Sequence, residues 1–247
     1  MVLTPARPLV HYALVEATGV DVDVRINGCP LDRVESTGRV ESAIPVSDLL
    51  VPGPNAIEVE RVRGAGHATV RLGSCRYGDV PDAGADASWT VVRLRALPAD
   101  ASRVDGAATL HDVPSWPWLT AGRIDPESPS TRADVMAFLR GVERTLAKND
   151  HASLLGLLRQ RLEERGVAFG QGREAAVRAF TALTADADFR RFDPLGEQDL
   201  ELTSCFGGRA LWVRRRGAAH LYAEPSGDWE FALCVARVDG ALRVVRS

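Results

Sequence analysis

Two residues near the C-terminal end of the chain, His220 and Tyr222, carry side chains that can move a proton. They stand two positions apart in the segment AAHLYAE, which has the alternation of a β-strand, so both side chains are expected on one face of that strand. An imidazole can act as a general acid or base, and a phenol can donate a proton. This pair is the candidate catalytic site, and a rim or exposed strand face without chemistry is the competing interpretation.

The sequence lacks the short motifs that mark common catalytic and cofactor sites. It has no G-x-S-x-G, no P-loop, no H-E-x-x-H and no G-x-G-x-x-G after a predicted strand. None of the five histidines has another histidine three or four positions away, so local metal-ligand spacing is absent. We therefore expect no metal and no cofactor. The absence of these motifs does not exclude catalysis, but it favours a protein that is not an enzyme.

The four cysteines stand far apart and form no C-x-x-C pair; they are Cys29, Cys75, Cys205 and Cys234. Two lie in each half of the chain, so each half has enough cysteines to form one disulfide. Buried thiols in a reducing compartment are the interpretation that we favour.

Two groups of residues are candidates for binding. Trp116 and Trp118 flank a proline that fixes the backbone between two large aromatic side chains. Packing against the rest of the chain is the first interpretation of this segment, and an aromatic platform for a ligand is the second. Arg214, Arg215 and Arg216 could attract an anion or an acidic protein surface, although a solvated hairpin tip also explains them.

The composition is that of a globular protein with nearly balanced charge. Of 247 residues, 45% are hydrophobic, the formal net charge is −3, and no basic run marks a nucleic-acid-binding face. The N-terminal segment lacks the basic start and apolar run of a signal peptide, and no apolar run is long enough to span a membrane. We expect a cytoplasmic protein with a protein partner, without nucleic-acid binding or membrane insertion. Its oligomeric state is left open.

The first 98 residues carry the period-two pattern of β-strands. The clearest run is VDVDVRI at residues 20–26, where aliphatic and charged residues alternate. Asn27 and Gly28 follow and accept positive φ at low cost, so the chain turns there. Short strands between Gly, Pro and Asp turns are typical of an antiparallel sandwich. Residues 1–98 are therefore predicted to form an all-β sandwich.

Part of this region resembles the jelly-roll modules that accompany glycoside hydrolases. VRINGCPL and IPVSDLLVPGPNAIEVE are similar to a strand ending in Asn-Gly, a Leu-Leu-x-x-Gly-x-Asn loop and the next strand of those modules. The matching residues are Asn27, Gly28, Leu49, Leu50, Gly53 and Asn55. The resemblance implies a jelly-roll fold and, as a further alternative, carbohydrate binding. Tyr12, Tyr77 and Trp89 are the candidates for stacking on a sugar, and packing in the core or at its rim also explains each of them.

Residues 99–130 are rich in Pro, Asp, Gly and Ser and lose the periodicity, so we interpret them as a linker whose tryptophans pack on the domains. Apolar residues then recur at helical spacing, and TRAD at residues 131–134 matches a capping box. A second, leucine-rich helix is predicted from about His151 to Gly166, and a third from about Arg173.

The C-terminal residues predict an antiparallel sheet. DLELTSCF and RALWVRR flank Gly207-Gly208, and WEFALCVARV and ALRVVR flank Asp239-Gly240. AAHLYAE supplies a further strand between these two hairpins. Three helices followed by linked strands make residues 131–247 an α+β domain. The chain is thus predicted to hold two domains, 1–98 and 131–247, joined by residues 99–130.

The order of three helices and then a curved sheet resembles the NTF2-like cone fold. VMAFLRGVERTLAKNDHASLLGLL is similar to that family's opening helix pair, with its polar break at Asp150, and WEFALCVARVDGALRVVR to its last hairpin. The chain departs from the pattern because no strand is evident between the second and third helices. The family includes isomerases, dehydratases, binding domains and toxin-immunity proteins. In its enzymes the cone interior holds an acid or base and a phenol, the roles implied for His220 and Tyr222.

Two functions of different classes follow. The first, which we favour, is a non-catalytic protein–protein interaction protein of bacterial type, such as an immunity, adaptor or chaperone factor; it predicts an apolar or charged surface patch. The second is small-molecule binding or isomerase-like activity in the C-terminal cone, which predicts a closed apolar cavity with converging polar groups. Carbohydrate binding by the N-terminal sandwich is third.

Overall fold

The computed structural model describes residues 8–31, 33–77, 79, 90–93, 102–218, 220–225 and 229–246. The chain divides into two units, Met1–Ser115 with Val167–Gly170 and Trp116–Gly166 with Gln171–Ser247. It is a mixed α+β protein with a curled antiparallel sheet. Among the described residues, no helix combines the length and the apolar character that a membrane span needs.

One antiparallel sheet makes up the first unit. Its strands are β1 (Leu9–Ile26), β2 (Cys29–Pro30), β3 (Arg39–Pro45), β4 (Gly53–Arg76), β5 (Thr90–Arg93) and β6 (Arg103–Leu110). The two long strands, β1 and β4, lie at its centre. β2 and β3 pair with β1, while β5 and β6 pair with β4.

β1 and β4 bend together part-way along their length. The pairing shifts register between Thr18 and Val20 and again between Asp21 and Val22. Because a shift of one residue moves side chains to the other face of a sheet, the buried positions change from odd to even numbers there. The core residues of β1 are Ala13, Val15, Ala17, Val20, Val22, Val24 and Ile26. The strand and the buried face predicted at residues 20–26 are therefore confirmed.

Glycines permit the close approach of the two strands at this bend. A Cβ atom at Gly66 would lie 1.7 Å from the carbonyl oxygen of Thr18, and one at Gly64 would lie 2.4 Å from that of Gly19. No side chain can be accommodated at such distances without moving the backbone. Gly64 also has a φ of +89°, which other residues rarely adopt. The bend thus requires glycine at both positions.

Asn27 and Asn55 form a buried amide pair at one end of β1 and β4. Nδ2 of Asn27 donates to Oδ1 of Asn55 over 2.8 Å, and Oδ1 of Asn27 accepts from the amide of Ala56 over 3.0 Å. Oδ1 of Asn55 also accepts from the amide of Val51 over 2.8 Å, and its Nδ2 donates to the carbonyl of the same residue over 2.9 Å. Two residues that carry the jelly-roll resemblance therefore hold two neighbouring turns together.

Ion pairs connect neighbouring strands on the face of the sheet opposite the core. Glu16 of β1 pairs with Arg71 of β4, and Glu58 of β4 lies 3.2 Å from Arg103 of β6. Opposite charges on adjacent strands favour the observed register. This face of the first unit consequently carries both positive and negative side chains, as an ordinary solvated surface does.

The second unit places three helices before its strands. The helices are α1 (Pro129–Ala147), α2 (His151–Ala168) and α3 (Arg173–Thr184). The strands are β7 (Leu200–Cys205), β8 (Ala210–Arg215), β9 (Tyr222–Ala223), β10 (Glu230–Phe231), β11 (Leu233–Val238) and β12 (Ala241–Arg246). Four of them form an antiparallel sheet in the order β12-β11-β8-β7, while β9 and β10 pair with each other.

A core of aliphatic side chains lies between the helices and one face of this sheet. The helical stripes predicted on α1 and α2 supply its helix side, and alternate residues of β7, β8, β11 and β12 supply the other. Its members include Val135, Leu139, Leu146, Leu154, Leu158, Leu202, Leu211, Val213, Leu233, Val235 and Val244.

Several elements differ from the sequence prediction. Residues 103–110, which we placed in the linker, form β6, whose small residues hide the period-two pattern. Among the described residues of AAHLYAE, only Tyr222 and Ala223 lie in a strand, and β8 pairs directly with β11. α2 continues past Gly166 to Ala168. Only residues 90–93 of the strand predicted near Trp89 lie within the described part of the chain.

The two predicted helix starts have different outcomes. The capping box at residues 131–134 is wrong, because α1 already begins at Pro129 and Asp134 pairs instead with Arg237 of β11. α2 begins at His151, as predicted, and Asp150 caps it, since its Oδ1 accepts from the amide of Ser153 over 3.0 Å. Hydrogen bonds from Ser153 lower the pKa of Asp150 and favour its charged form.

Candidate functional site

Tyr222 is buried in the second unit, where β9 places its side chain against α1. Its hydroxyl donates to Oε1 of Glu143 over 3.1 Å. The same oxygen accepts from the amide of Leu195 over 2.8 Å, and Nη1 of Arg140 donates to Oε2 over 2.8 Å. Arg140 and Glu143 meet because residues three apart are neighbours on a helix. Both oxygens of the buried carboxylate thus have partners within the protein.

The surroundings of Tyr222 keep its hydroxyl protonated. Burial of the phenol, together with the negative charge of Glu143, raises the pKa of Tyr222 above its ordinary value. The ring of Phe192 packs edge-on against it, with the ring centroids 5.5 Å apart. Tyr222 is therefore a hydrogen-bond donor to Glu143 within a packed interior.

His220 has a different partner from Tyr222. Its Nε2 lies 2.8 Å from Oε2 of Glu230, and the two side chains are 37% and 64% exposed. His220 precedes β9 instead of lying on it. The imidazole and the phenol of the candidate catalytic pair therefore have separate partners, Glu230 and Glu143.

An aromatic cluster surrounds the buried ring of Phe189. The centroids of His151, Trp229 and Phe231 lie 5.2, 5.4 and 5.7 Å from its centroid. Nε1 of Trp229 also donates to the carbonyl of Asp188 over 3.0 Å. These contacts anchor the loop before β7 to the β10 segment.

A small cavity opens between α1, α2 and the sheet of the second unit. It is lined by Val142, Leu154, Leu157, Leu158, Phe231, Leu233 and Val244. Its volume of about 10 Å³ is close to the smallest cavity volume that can hold one water molecule. The lining is apolar, and neither His220 nor Tyr222 belongs to it.

A cluster around Arg246 brings both candidate tryptophans together. The guanidinium carbon of Arg246 lies 4.7 Å from the ring centroid of Trp116 and 5.1 Å from that of Trp118. Nη1 of Arg246 donates to Oε2 of Glu164 over 2.6 Å. Arg246 is only 1% exposed. The two tryptophans therefore pack within the second unit, beside the last strand and α2.

The three consecutive arginines differ in their partners and in their exposure. Arg214 pairs with Glu201 across the β7–β8 hairpin. Nη2 of Arg215 donates to the backbone carbonyl of Asp193 over 2.6 Å, while Arg216 is exposed beyond the end of β8. Alternation along the strand sends neighbouring side chains in different directions.

Of the three aromatic residues that are candidates for sugar stacking, the two described ones differ in their burial. Tyr12 is half-buried on β1, where burial and the neighbouring Cys75 raise its pKa. Tyr77, which follows β4, is 42% exposed. Trp89 lies outside the described residues.

All four cysteines lie among the described residues, and none forms a disulfide. Cys205 and Cys234 belong to β7 and β11, on either side of β8, and their Sγ atoms lie within 4.8 Å of each other. Sequence spacing does not reveal this proximity, because the strand order of the sheet produces it. Two thiols supply half of the four ligands of a structural zinc site.

The sequence analysis missed Glu143, Glu164 and Arg246 as members of these networks. A signal was present for Glu143 and Arg246, because each is a charged residue next to apolar residues of a helix or strand predicted to face the core, whereas Glu164 stands between Glu163 and Arg165 and gives no such signal. Buried charges of this kind need partners.

Comparison of the chain with protein-family models, with curated proteins and with solved structures finds no match.

Proposed function

We propose that the protein is a non-catalytic protein–protein interaction protein of bacterial type, acting as an immunity, adaptor or chaperone factor. The observation that supports this proposal is that the buried polar groups around Tyr222 bond to one another. A catalytic cone needs polar groups that converge on an open cavity. Here Tyr222 and Arg140 both bond to Glu143, and the cavity is apolar with a volume of about 10 Å³. These polar groups are engaged with one another, and none of them lines that cavity.

The finer fold assignment belongs to the same proposal. The order of three helices before an antiparallel sheet supports an NTF2-like cone for the second unit. The hydrogen bonds between Asn27 and Asn55 support a jelly-roll sandwich for the first, because they join the two turns on which that resemblance depends. Both folds occur in proteins with many functions, so they agree with an interaction role without requiring it.

The test is affinity capture with the intact protein from a lysate of its source organism. We expect one protein partner to be retained in stoichiometric amount at high salt and to bind again after both proteins are purified, with a dissociation constant measured by calorimetry. A matched bait carrying Gly66→Ala, which disrupts the bend of the first unit, controls for capture by misfolded chain. Failure of repeated captures to retain any partner would contradict the proposal.

The second candidate is small-molecule binding or isomerase-like activity in the second unit. The buried Tyr222–Glu143 pair favours it, since perturbed ionisable groups concentrate at functional sites. Its test is a screen for small molecules that raise the melting temperature of the wild type but not that of Tyr222→Phe. His220→Ala is the control, because His220 pairs with Glu230, which is not a partner of Tyr222 or Glu143.

Carbohydrate binding remains the third candidate. Tyr77 is the described aromatic of the first unit with an exposed ring, and Tyr77→Ala is the variant that would abolish it. Retention on immobilised polysaccharides, compared between wild type and this variant, tests it.

A further inference from the structure

The cluster around Arg246 has the composition of a site for a guanidinium cation. Glu164 supplies a carboxylate, and the rings of Trp116 and Trp118 supply two aromatic faces. Aromatic faces attract cations, and the attraction grows when water is excluded. A planar guanidinium also stacks on such faces, which the compact ammonium of lysine does not.

The carboxylate of Glu164 is held in place by neutral donors as well as by the arginine. Nε1 of Trp118 donates to its Oε2 over 2.9 Å, and Nε2 of Gln160 donates to its Oε1 over 3.0 Å. Glu164 is only 8% exposed. A buried carboxylate oriented in this way requires a cation, because removal of its partner leaves an uncompensated charge away from water.

The cluster joins segments that are distant in the sequence. We call residues 116–124 the tryptophan strap. Its short 3-10 helix, Pro117–Thr120, lies against β11, and the ring of Trp118 packs edge-on against Phe206 with the centroids 4.8 Å apart. The amide of Ile124 donates to the carbonyl of Gly208 over 2.7 Å. The strap is therefore attached to the sheet at one end by this bond and at the other by Arg246.

We propose that Trp116, Trp118 and Glu164 form a guanidinium-binding cage, and that the presence of Arg246 in this cage keeps the tryptophan strap closed on the sheet of the second unit. The ligand class is a guanidinium group, supplied here by the chain itself. This proposal is independent of the function proposed above.

The test is limited trypsin digestion of the full chain carrying Arg246→Ala. Arg123 is exposed within the strap, and cleavage after it gives fragments 1–123 and 124–247. Loss of the guanidinium leaves Glu164 without its cation, so the strap opens more often. We expect cleavage after Arg123 to become at least about ten times faster, since proteolysis follows the population of the open form. Millimolar methylguanidinium enters the empty cage and returns the rate towards that of the wild type.

Three further variants separate the cage from a general loss of stability. Arg243→Ala removes an exposed arginine from the same strand and is expected to leave the rate unchanged. Arg246→Lys keeps the charge without the planar group and is expected to give an intermediate rate. Trp118→Leu, combined with Arg246→Ala, removes one aromatic face and is expected to abolish the rescue by methylguanidinium.

Three results would overturn the proposal. The first is a wild-type cleavage rate in Arg246→Ala, and the second is a rescue that sodium chloride at equal concentration reproduces. The third is simultaneous cleavage at many arginines with loss of the circular dichroism signal, both in Arg246→Ala and in Arg246→Met, whose side chain retains the apolar volume. That pattern would show that Arg246 stabilises the whole unit instead of the strap.

Discussion

The hydroxyl of Tyr222 and Oε1 of Glu143 lie 3.1 Å apart in the interior of the second unit, although the two residues are 79 positions apart in the chain. The bond joins the short strand β9 to α1. Because Glu143 also accepts from Arg140 and from the amide of Leu195, one carboxylate holds together three segments of the unit. The strength of this network is open to direct measurement.

Tyr222→Phe is expected to lower the free energy of unfolding by about 1.5–3 kcal/mol, because it removes a hydrogen bond to a charged group in the interior. Urea unfolding followed by circular dichroism measures the change. The control is Tyr77→Phe, which removes the hydroxyl of a half-exposed tyrosine outside this network and is expected to cost less than Tyr222→Phe. Equal effects of the two substitutions would mean that the bond to Glu143 contributes nothing specific.

Tyr222 is also expected to make stability fall at alkaline pH. Its pKa in the folded protein is raised above the ordinary value of about 10, so both states are protonated below that pH and the contribution is complete there. Above it the unfolded chain loses the proton first, and the free energy of unfolding decreases by up to about 1.4 kcal/mol per pH unit for this group. Urea unfolding between about pH 9 and pH 11 measures the slope.

The matched measurement for this pH dependence is the same series on Tyr222→Phe. Its slope is expected to be shallower but not zero, because the pKa of Tyr12 is raised as well. Slopes that coincide in the two proteins would show that Tyr222 ionises as easily in the folded state as in the unfolded chain.

Gly66→Ala is expected to destabilise the first unit by about 3 kcal/mol or more, since its Cβ would lie 1.7 Å from the carbonyl oxygen of Thr18 and the backbone must move. Gly38→Ala is the matched control, because nothing lies within 4 Å of a Cβ at Gly38. Thermal unfolding of both variants measures the difference. A similar melting temperature for the two would show that the strands are not held so closely at the bend.

Asn27→Ala and Asn55→Ala are each expected to cost about 2–3 kcal/mol, because each leaves buried polar groups of the turns without a partner. The double variant is expected to cost less than the sum of the single ones, with a coupling of at least about 0.5 kcal/mol. Urea unfolding of the four proteins completes the cycle. Additive costs would mean that the two amides act independently.

The sequence predicted elements best where the hydrophobic period was regular. The stripe on α1 and the alternation at residues 20–26 both appear in the cores of their units. β4 was harder to recognise as one strand, because the bend at Gly64 and Gly66 changes the face of its buried residues and makes one strand look like two. β6 was missed because its small residues carry little hydrophobic contrast.

The candidate sites were harder to predict than the elements. Tyr222 and the two tryptophans were singled out from the sequence, but their partners Glu143, Glu164 and Arg246 are distant along the chain. Local spacing contains no information about such pairs, which form only when helices and strands pack. The arginines at the end of β8 are a similar case, because Arg214 pairs with Glu201 and Arg215 bonds to the carbonyl of Asp193, and both partners lie on other segments.

The long pairing of β1 with β4 also has a consequence for how the first unit folds. Contacts at the Ile26–Ile57 end join residues about half as far apart in the sequence as contacts at the Leu9–Arg76 end. Closing the shorter loop costs about 0.6 kcal/mol less chain entropy than closing the longer one. The hydrogen bond between Asn27 and Asn55 stabilises the chain at that same end. Refolding is therefore expected to nucleate at these turns and to extend past the bend toward Leu9, at the slow rate typical of chains whose strand pairs are non-local.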